Sequence, residues 1–282
     1  MSQHEHKPVA LTIAGLDPSG GAGVIADIRT FAAFDCLSTA AITSLTFQND
    51  SEIWGAEHLS PETLRAQVMP LIRERAVAGA KTGMLPTREI VREVARLFRE
   101  TNLPPPVIDP VMRSSSGYAL IEEGALETLL TELLPLSRLI TPNIPEAEHI
   151  TGLRIADEAA MRRAAIAIRE LGARAVLVKG GHLKGQEAHG RTPTAGESSS
   201  TREAIDVLDD QGSVTVFRGA WIDAGTVRGT GCMLSAAVAA CLARGMTLQA
   251  AVAEAKRFVS DSILHSKHPL ATLNSSARLR KN

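Results

Sequence analysis

A chain of 282 residues with 30 basic and 31 acidic side chains has a formal net charge of −1, which leaves no electrostatic case for a nucleic-acid or membrane-surface partner. Aromatic residues make up only 3%, too few for a base-stacking platform, and no apolar run reaches the length needed to cross a bilayer. Three cysteines are an odd, low count that argues against a disulfide framework and for a reducing, cytoplasmic setting; the polar opening from Met1 to Pro8 lacks the apolar core of a signal peptide.

Val9 to Gly15 is a short apolar run ending at glycine and predicts a buried strand. A helix is expected from Ser19 to Phe34 with a glycine-rich start. Strands follow at Ser38 to Phe47 and, more weakly, Ile53 to Leu59. Pro61 to Arg75 predicts a helix with proline in its first turn. Next come a strand at Ala78 to Gly83, a helix at Thr87 to Glu100, a strand at Pro106 to Asp109, a helix at Glu122 to Leu134 and a strand at Arg138 to Thr141. Asp157 is the expected cap of a helix reaching Leu171, ahead of a clear strand at Ala173 to Lys179. His182 to Arg202, rich in Gly, Pro, Ser and Thr, reads as a mobile surface loop. Glu203 to Trp221 predicts two antiparallel strands turning at Asp209–Gly212. Helices at Thr230 to Arg244 and Thr247 to Leu264 close the chain, and the polar tail after Leu270 frays.

Short apolar strands alternating with longer helices are the pattern of a parallel α/β sheet, which binds ligands at the C-terminal ends of its strands. Asp17, Gln48, Gly83, Asp109, Asn143 and Lys179 all fall at predicted strand ends. Capping accounts for any one of them; six on one edge exceed what capping needs. No linker divides the chain, so one domain is expected over residues 1–282, with its core from about 9 to 265.

Four segments carry candidate chemistry. Gly229-Thr230-Gly231-Cys232 opens a strongly helical segment, so its backbone N–H groups can approach an anion and its cysteine stands where a helix N-terminus lowers a thiol pKa. The bland alternative is a helix start with a core cysteine. Gly15-Leu-Asp-Pro-Ser-Gly-Gly-Ala-Gly23 implies close backbone approach to a ligand, or tight helix–sheet packing; it matches neither G-x-G-x-x-G nor a P-loop. Asp109, Asn143 and Glu146 are hard oxygen donors suited to water-mediated Mg²⁺, or else N-caps and solvated side chains. Lys179 beside two glycines can reach a phosphate as a point charge, or simply sits in a turn. Cys36 and Cys241 read as core residues, and the histidines show no zinc spacing.

Seven segments in a fixed order bring these motifs together: Ala10 to Gly23, Ser-Leu-Thr-Phe-Gln-Asn49, Lys81-Thr-Gly-Met-Leu, Asp109-Pro-Val-Met, Leu139 to Ala147, Val176 to His182 and Gly229 to Cys232. The chain resembles the hydroxymethylpyrimidine and phosphomethylpyrimidine kinases of thiamin synthesis, of the ribokinase-like superfamily and close to a class of pyridoxal kinases. The resemblance implies a three-layer α/β/α fold with a mostly parallel central sheet, ATP and Mg²⁺ as cofactors, and a homodimer. It implies an anion hole from Gly229, Thr230 and Gly231, with Cys232 standing where sugar-kinase relatives carry an aspartate base. Gln48, Gly15, Asp17, Met84 and Val111 would receive the aminopyrimidine. Asp109, Glu146 and Asn143 would orient Mg²⁺ and its waters, and Lys179, with Asn143, would lie at the nucleotide. The implied reaction is phosphorylation of 4-amino-5-hydroxymethyl-2-methylpyrimidine and then of its monophosphate. A pyridoxal kinase, or a non-catalytic pyrimidine-binding protein on the same fold, are the alternatives. Leu16, Arg228 and Met233 depart from the family pattern (Ser or Thr, His and Thr respectively). Arg228 is expected to add a fixed charge beside the anion hole and so to favour an already phosphorylated substrate.

Overall fold

The computed structural model describes residues 7–114, 117–122, 124–181, 203–222 and 228–265. The expected loop at 182–202 and the frayed tail lie outside them. A sheet of nine strands runs β3-β2-β1-β4-β5-β6-β7-β8-β9. Its strands are β1 (Val9–Leu16), β2 (Leu37–Gln48), β3 (Ile53–His58), β4 (Val77–Thr82), β5 (Val107–Ile108), β6 (Leu139–Ile140), β7 (Ala175–Gly180), β8 (Glu203–Asp210) and β9 (Ser213–Ala220). From β2 to β7 every neighbour is parallel; β3 on one side and β8 and β9 on the other are antiparallel.

Side chains alternate between two apolar layers, as the period-two geometry of a strand requires. Leu11, Ile13, Ile108, Ile140, Val176 and Val178 enter one core. There they meet α2 (Pro61–Glu74), α3 (Arg88–Glu100), α4 (Ala125–Thr128), α5 (Ile144–Thr151) and α6 (Glu158–Glu170). Ala10, Val107, Leu139, Ala175 and Leu177 enter the other, against α1 (Gly23–Ala33), α7 (Thr230–Ala243) and α8 (Leu248–His265). The result is the expected three-layer α/β/α architecture. Alanines let α7 lie close on the sheet: a Cβ on Gly79 of β4 would sit 2.5 Å from the Ala239 carbonyl oxygen.

Two expectations need correction, and one helix lies where none was predicted. The first helix begins at Gly23, four residues after Ser19, because Gly20 and Gly23 adopt positive φ (77° and 58°) and hold the intervening chain in a loop. A Cβ at Gly23 would lie 2.3 Å from the Gly15 carbonyl oxygen, so this turn admits only glycine. The segment expected as one helix to Leu134 is a single α-turn, α4, followed by a π-turn over Leu129–Leu133 and a 3₁₀ turn over Leu134–Leu136, where Pro135 interrupts the ladder. Helix α5 was not anticipated. Pro145 occupies its first turn, where no N–H is needed, and Asn143 and Glu146 form a capping box. Elsewhere side-chain caps fall where polar residues precede apolar runs, at Ser60, Thr87 and Asp157.

One charged pair is wholly enclosed. Lys81 Nζ on β4 donates to Asp27 Oδ2 on α1 at 2.7 Å, with both side chains fully buried. Thr12 Oγ1 on β1 donates to the same oxygen at 2.6 Å. Burial opposes the Lys81 charge, but the Asp27 carboxylate outweighs it and holds the ammonium above its ordinary pKa. Breaking such a pair strands a charge. Lys81→Met is therefore expected to lower stability by about 3–5 kcal/mol in urea unfolding, and Asp27→Leu/Lys81→Met by clearly less; a single-variant loss below about 1 kcal/mol would show that the pair is not the clamp.

Candidate active site

Helix α7 starts at Thr230, with Gly229 as a left-handed N-cap at φ 75°. The first intrahelical bond runs from the Met233 N–H to the Gly229 carbonyl at 2.8 Å, so the amides of Thr230, Gly231 and Cys232 have no intrahelical acceptor and form an anion-seeking end. Gly229 is pressed against the loop that follows β1: a Cβ there would stand 2.0 Å from the Gly21 carbonyl oxygen. The two glycine loops thus touch backbone to backbone, which no side chain would permit.

Against this end lies a charged cluster from three parallel strands. Asp109, just past β5 and buried, accepts a hydrogen bond from Lys179 Nζ of β7 at 3.0 Å. The Cys232 side chain helps to hold the same carboxylate charged, and Ser235 Oγ stands 3.5 Å from its Oδ2. A Cβ on Gly231 would meet Lys179 Nζ at 3.2 Å, so the ammonium lies directly beneath the first turn of α7. Burial works against the Asp109 charge, yet Lys179 and Lys81 hold its carboxyl below the usual range. Burial likewise opposes the Lys179 charge, and Asp109 and Glu146 more than restore it. Glu146 shows the opposite balance: burial, reinforced by Asp109, pushes it up to about 7 despite Lys179.

The expectation for Cys232 is overturned. Its thiol is not acidified by the helix N-terminus; burial pushes it up to about 11, and Lys81 offsets that only in part. Cys36 and Cys241 are buried core residues, as expected. Asn143 and Glu146 are also more engaged than expected. The Glu146 N–H donates to Asn143 Oδ1, and the Asn143 N–H donates to Glu146 Oε2, each at 2.8 Å. The N-cap alternative therefore holds for both, leaving the Asn143 amide nitrogen to act on a ligand, while the Met112 backbone also bears on the Glu146 carboxylate. Among the described residues, no cluster of three or more acidic, His or Cys side chains could hold a metal by itself.

A cleft of about 660 Å³ opens on one side of the cluster. Lys179, Asn143, Thr230 and Gly231 form its inner end; Ala220, Trp221, Ile222, Val259 and Ile263 form an apolar outer part. Lys256, paired to Asp206 at 2.6 Å, and Arg154 supply further positive charge to its lining. The expected substrate residues gather elsewhere. Met84 covers Gly15, where a Cβ would come within 2.9 Å of its sulfur. The Val111 N–H donates to the Asp109 carbonyl at 2.8 Å, next to the acidic end of β5. Asp17 and Gln48 meet through Arg228, whose Nη2 donates to Asp17 Oδ2 at 3.3 Å and to Gln48 Oε1 at 3.0 Å. The charge expected of Arg228 is thus already engaged. Asp27, Lys81, Arg154, Asp206 and Lys256 escaped the sequence reading. The signal for the first two was present, as an acid on the apolar face of α1 and a lysine inside a strand due to be covered on both faces.

Comparison with known proteins identifies the family and the fold. Residues 17–275 match the family model for phosphomethylpyrimidine kinase. A hydroxymethylpyrimidine/phosphomethylpyrimidine kinase from Rhizobium meliloti is 41% identical over 256 residues, 90% of each chain. The crystal structure of phosphomethylpyrimidine kinase from Clostridium difficile superposes with a TM-score of 0.76 at 35% identity, covering 91% of this chain and all of that one. An ADP complex of pyridoxal kinase from Bacillus subtilis superposes at 0.78 with 33% identity, covering 91% of each.

Because a thiol reacts as thiolate, a pKa near 11 fixes how Cys232 responds to pH. Iodoacetamide labelling of the ligand-free protein, read against Cys232→Ser, is expected to be slow near neutrality and to rise about tenfold per pH unit until the thiol titrates. A rate already level above about pH 8 would mean an acidified thiol instead.

Proposed function

The chain belongs to the phosphomethylpyrimidine kinase family, and on that footing we propose that nucleotide and pyrimidine reach Cys232 from two sides and exchange a phosphoryl group over the Asp109–Lys179 pair. It is a phosphotransferase that phosphorylates hydroxymethylpyrimidine and its monophosphate in thiamin biosynthesis. The observation that carries the reading is a largely buried ammonium held by a buried carboxylate directly under the amides of a helix N-terminus. Phosphoryl transfer asks for positioning and charge stabilisation, and this arrangement supplies both before any substrate arrives.

ATP lies with its phosphates at Lys179, Asn143 and the α7 amides and its base in the apolar outer cleft. The pyrimidine lies against Gly15, Met84 and Val111, with Gln48 and Asp17 at its polar edge. The donor set fits Mg²⁺. Glu146 is buried beside Asp109 and lacks full charge compensation, and hard carboxylate oxygens suit that ion. Asp109 and Glu146 would hold it through water, and it would offset charge on the phosphate oxygens.

The hydroxymethyl oxygen attacks the γ-phosphorus, and the bond to the ADP oxygen breaks. A neutral Cys232 thiol cannot be a ready-made base, but it can relay. As the O–P bond forms, the alcohol proton passes to sulfur while the thiol proton passes to Asp109. Lys179 and the α7 amides stabilise the charge on the moving phosphoryl group. A homodimer is inferred from Phe47 and Trp54, large apolar side chains left exposed on the β2–β3 ribbon. Cytoplasmic placement is inferred from three unpaired cysteines.

ADP release from ATP and Mg²⁺ is the deciding assay, with hydroxymethylpyrimidine, its monophosphate and pyridoxal offered separately. Turnover on both pyrimidines with little on pyridoxal is expected; pyridoxal as best substrate would favour the activity named for the Bacillus relative. In the same assay Cys232→Ala is expected to lower kcat by about 10²-fold, and Cys232→Ser, which keeps a group able to relay, by roughly tenfold or less. Wild-type kcat in both variants would remove the relay.

A further inference from the structure

Arg228 joins three loops at the pyrimidine side of the site. Besides Asp17 and Gln48, its Nη1 donates to the Asn49 carbonyl at 2.8 Å and lies 3.4 Å from Ser19 Oγ and 3.6 Å from Asp50 Oδ1. We propose that Arg228 is a specificity-determining positioning residue, which locks the Gln48 carboxamide in the one orientation that recognises an amino group beside a ring nitrogen. The proposal rests on the assignment of the aminopyrimidine to Gln48.

A glutamine carboxamide has two orientations of nearly equal shape that exchange its donor and acceptor ends. Left free, it serves a ligand edge of either polarity. Here both ends are forced. A guanidinium carries only donors, so the atom facing Arg228 must be the oxygen, and Oε1 stands 3.0 Å from Nη2. At the other end, Gln48 Nε2 donates to Thr46 Oγ1 at 2.8 Å. The Thr46 hydroxyl has already given its proton to the Leu16 carbonyl at 2.7 Å, so it can only accept, and the atom facing it must be the nitrogen. A donor-only group at one end and an acceptor-only group at the other fix the flip. Asp17 and the Asn49 carbonyl in turn hold the guanidinium in place.

Gln48 then keeps one lone pair on Oε1 and one hydrogen on Nε2 for the edge of a ligand. That pair matches a ring presenting an amino donor next to a nitrogen acceptor. A ring presenting a carbonyl next to an N–H sets acceptor against acceptor and donor against donor, and leaves two polar groups unpaired. A histidine at position 228 could donate or accept according to its tautomer and would leave the amide free to turn. Arginine removes that freedom at the cost of its own availability for a substrate phosphate, since its charge is already met by Asp17.

The test compares kcat/KM for 4-amino-5-hydroxymethyl-2-methylpyrimidine with that for its 4-oxo analogue, in the full-length enzyme, for wild type, Arg228→His, Arg228→Lys and Thr46→Val. Histidine and valine are chosen as replacements that leave the fold least disturbed, and lysine as the donor-only rescue. The amino-over-oxo ratio is expected to fall about tenfold or more in Arg228→His and in Thr46→Val. The fall should come through KM for the pyrimidine, with kcat and KM for ATP within about threefold of wild type, and Arg228→Lys should retain most of the ratio. An unchanged ratio in both Arg228→His and Thr46→Val, in enzyme that turns over the amino substrate, overturns this proposal and leaves the pyrimidine assignment intact. Equal losses on both pyrimidines together with a raised KM for ATP also overturn it, by showing that Arg228 merely straps the loops. Wild-type enzyme that ignores the amino substrate overturns the assignment itself and the proposal with it.

Discussion

A parallel sheet covered by helices on both faces has no solvent route for charge, so any ionised group at its strand ends must bring its own partner. That constraint organises this molecule. Lys81 on β4 is met by Asp27 on α1, and Lys179 on β7 is met by Asp109 after β5. Each pair spans elements that are distant in sequence and fixes their relative position. Together they keep two ammoniums charged in a place where burial alone would neutralise them. A site built this way meets an anionic substrate with its dipoles and charges already set, which is the condition under which electrostatic catalysis is most effective.

The glycines serve the same end by a different route. At Gly23 and Gly229 a Cβ would strike a carbonyl oxygen, and at Gly231 it would press on the Lys179 ammonium. Removing those side chains lets the loop after β1, the first turn of α7 and the lysine of β7 share one small volume. The first turn of α7 then stands at the cleft that Lys179 and Asn143 line, where the proposed phosphate position needs it. Cys232 stands at the junction with its thiol pKa raised by burial, which suits the proposed relay better than a base.

The sheet was legible because its strands are apolar runs with clear punctuation, and the strand-end residues were legible because parallel topology sends them to one edge. What escaped was decided by contacts between distant segments. Cys232 carries the sequence mark of an acidified thiol, but burial among distant segments raises its pKa, with Lys81 opposing and Asp109 adding to the rise, and no local pattern encodes that. Helix α5 rests on the capping box that Asn143 and Glu146 close between them, with Pro145 in its first turn. The start of α1 turns on a backbone collision between Gly23 and Gly15 that only the folded chain reveals. Arg228 reads in sequence as free charge beside an anion hole; folding delivers it to Asp17 and Gln48, some 200 residues earlier in the chain, where its donors are already engaged.

The most direct test of this account is a double-mutant cycle between Asp109 and Lys179, using Asp109→Asn, Lys179→Met and the double variant, with single-turnover phosphoryl transfer to hydroxymethylpyrimidine as the readout. If the pair acts as one preorganised unit, each single variant loses about 10²–10³-fold and the double variant loses no more than the worse single one. Losses that multiply in the double variant would mean that the carboxylate and the ammonium act independently, and the central claim would fail.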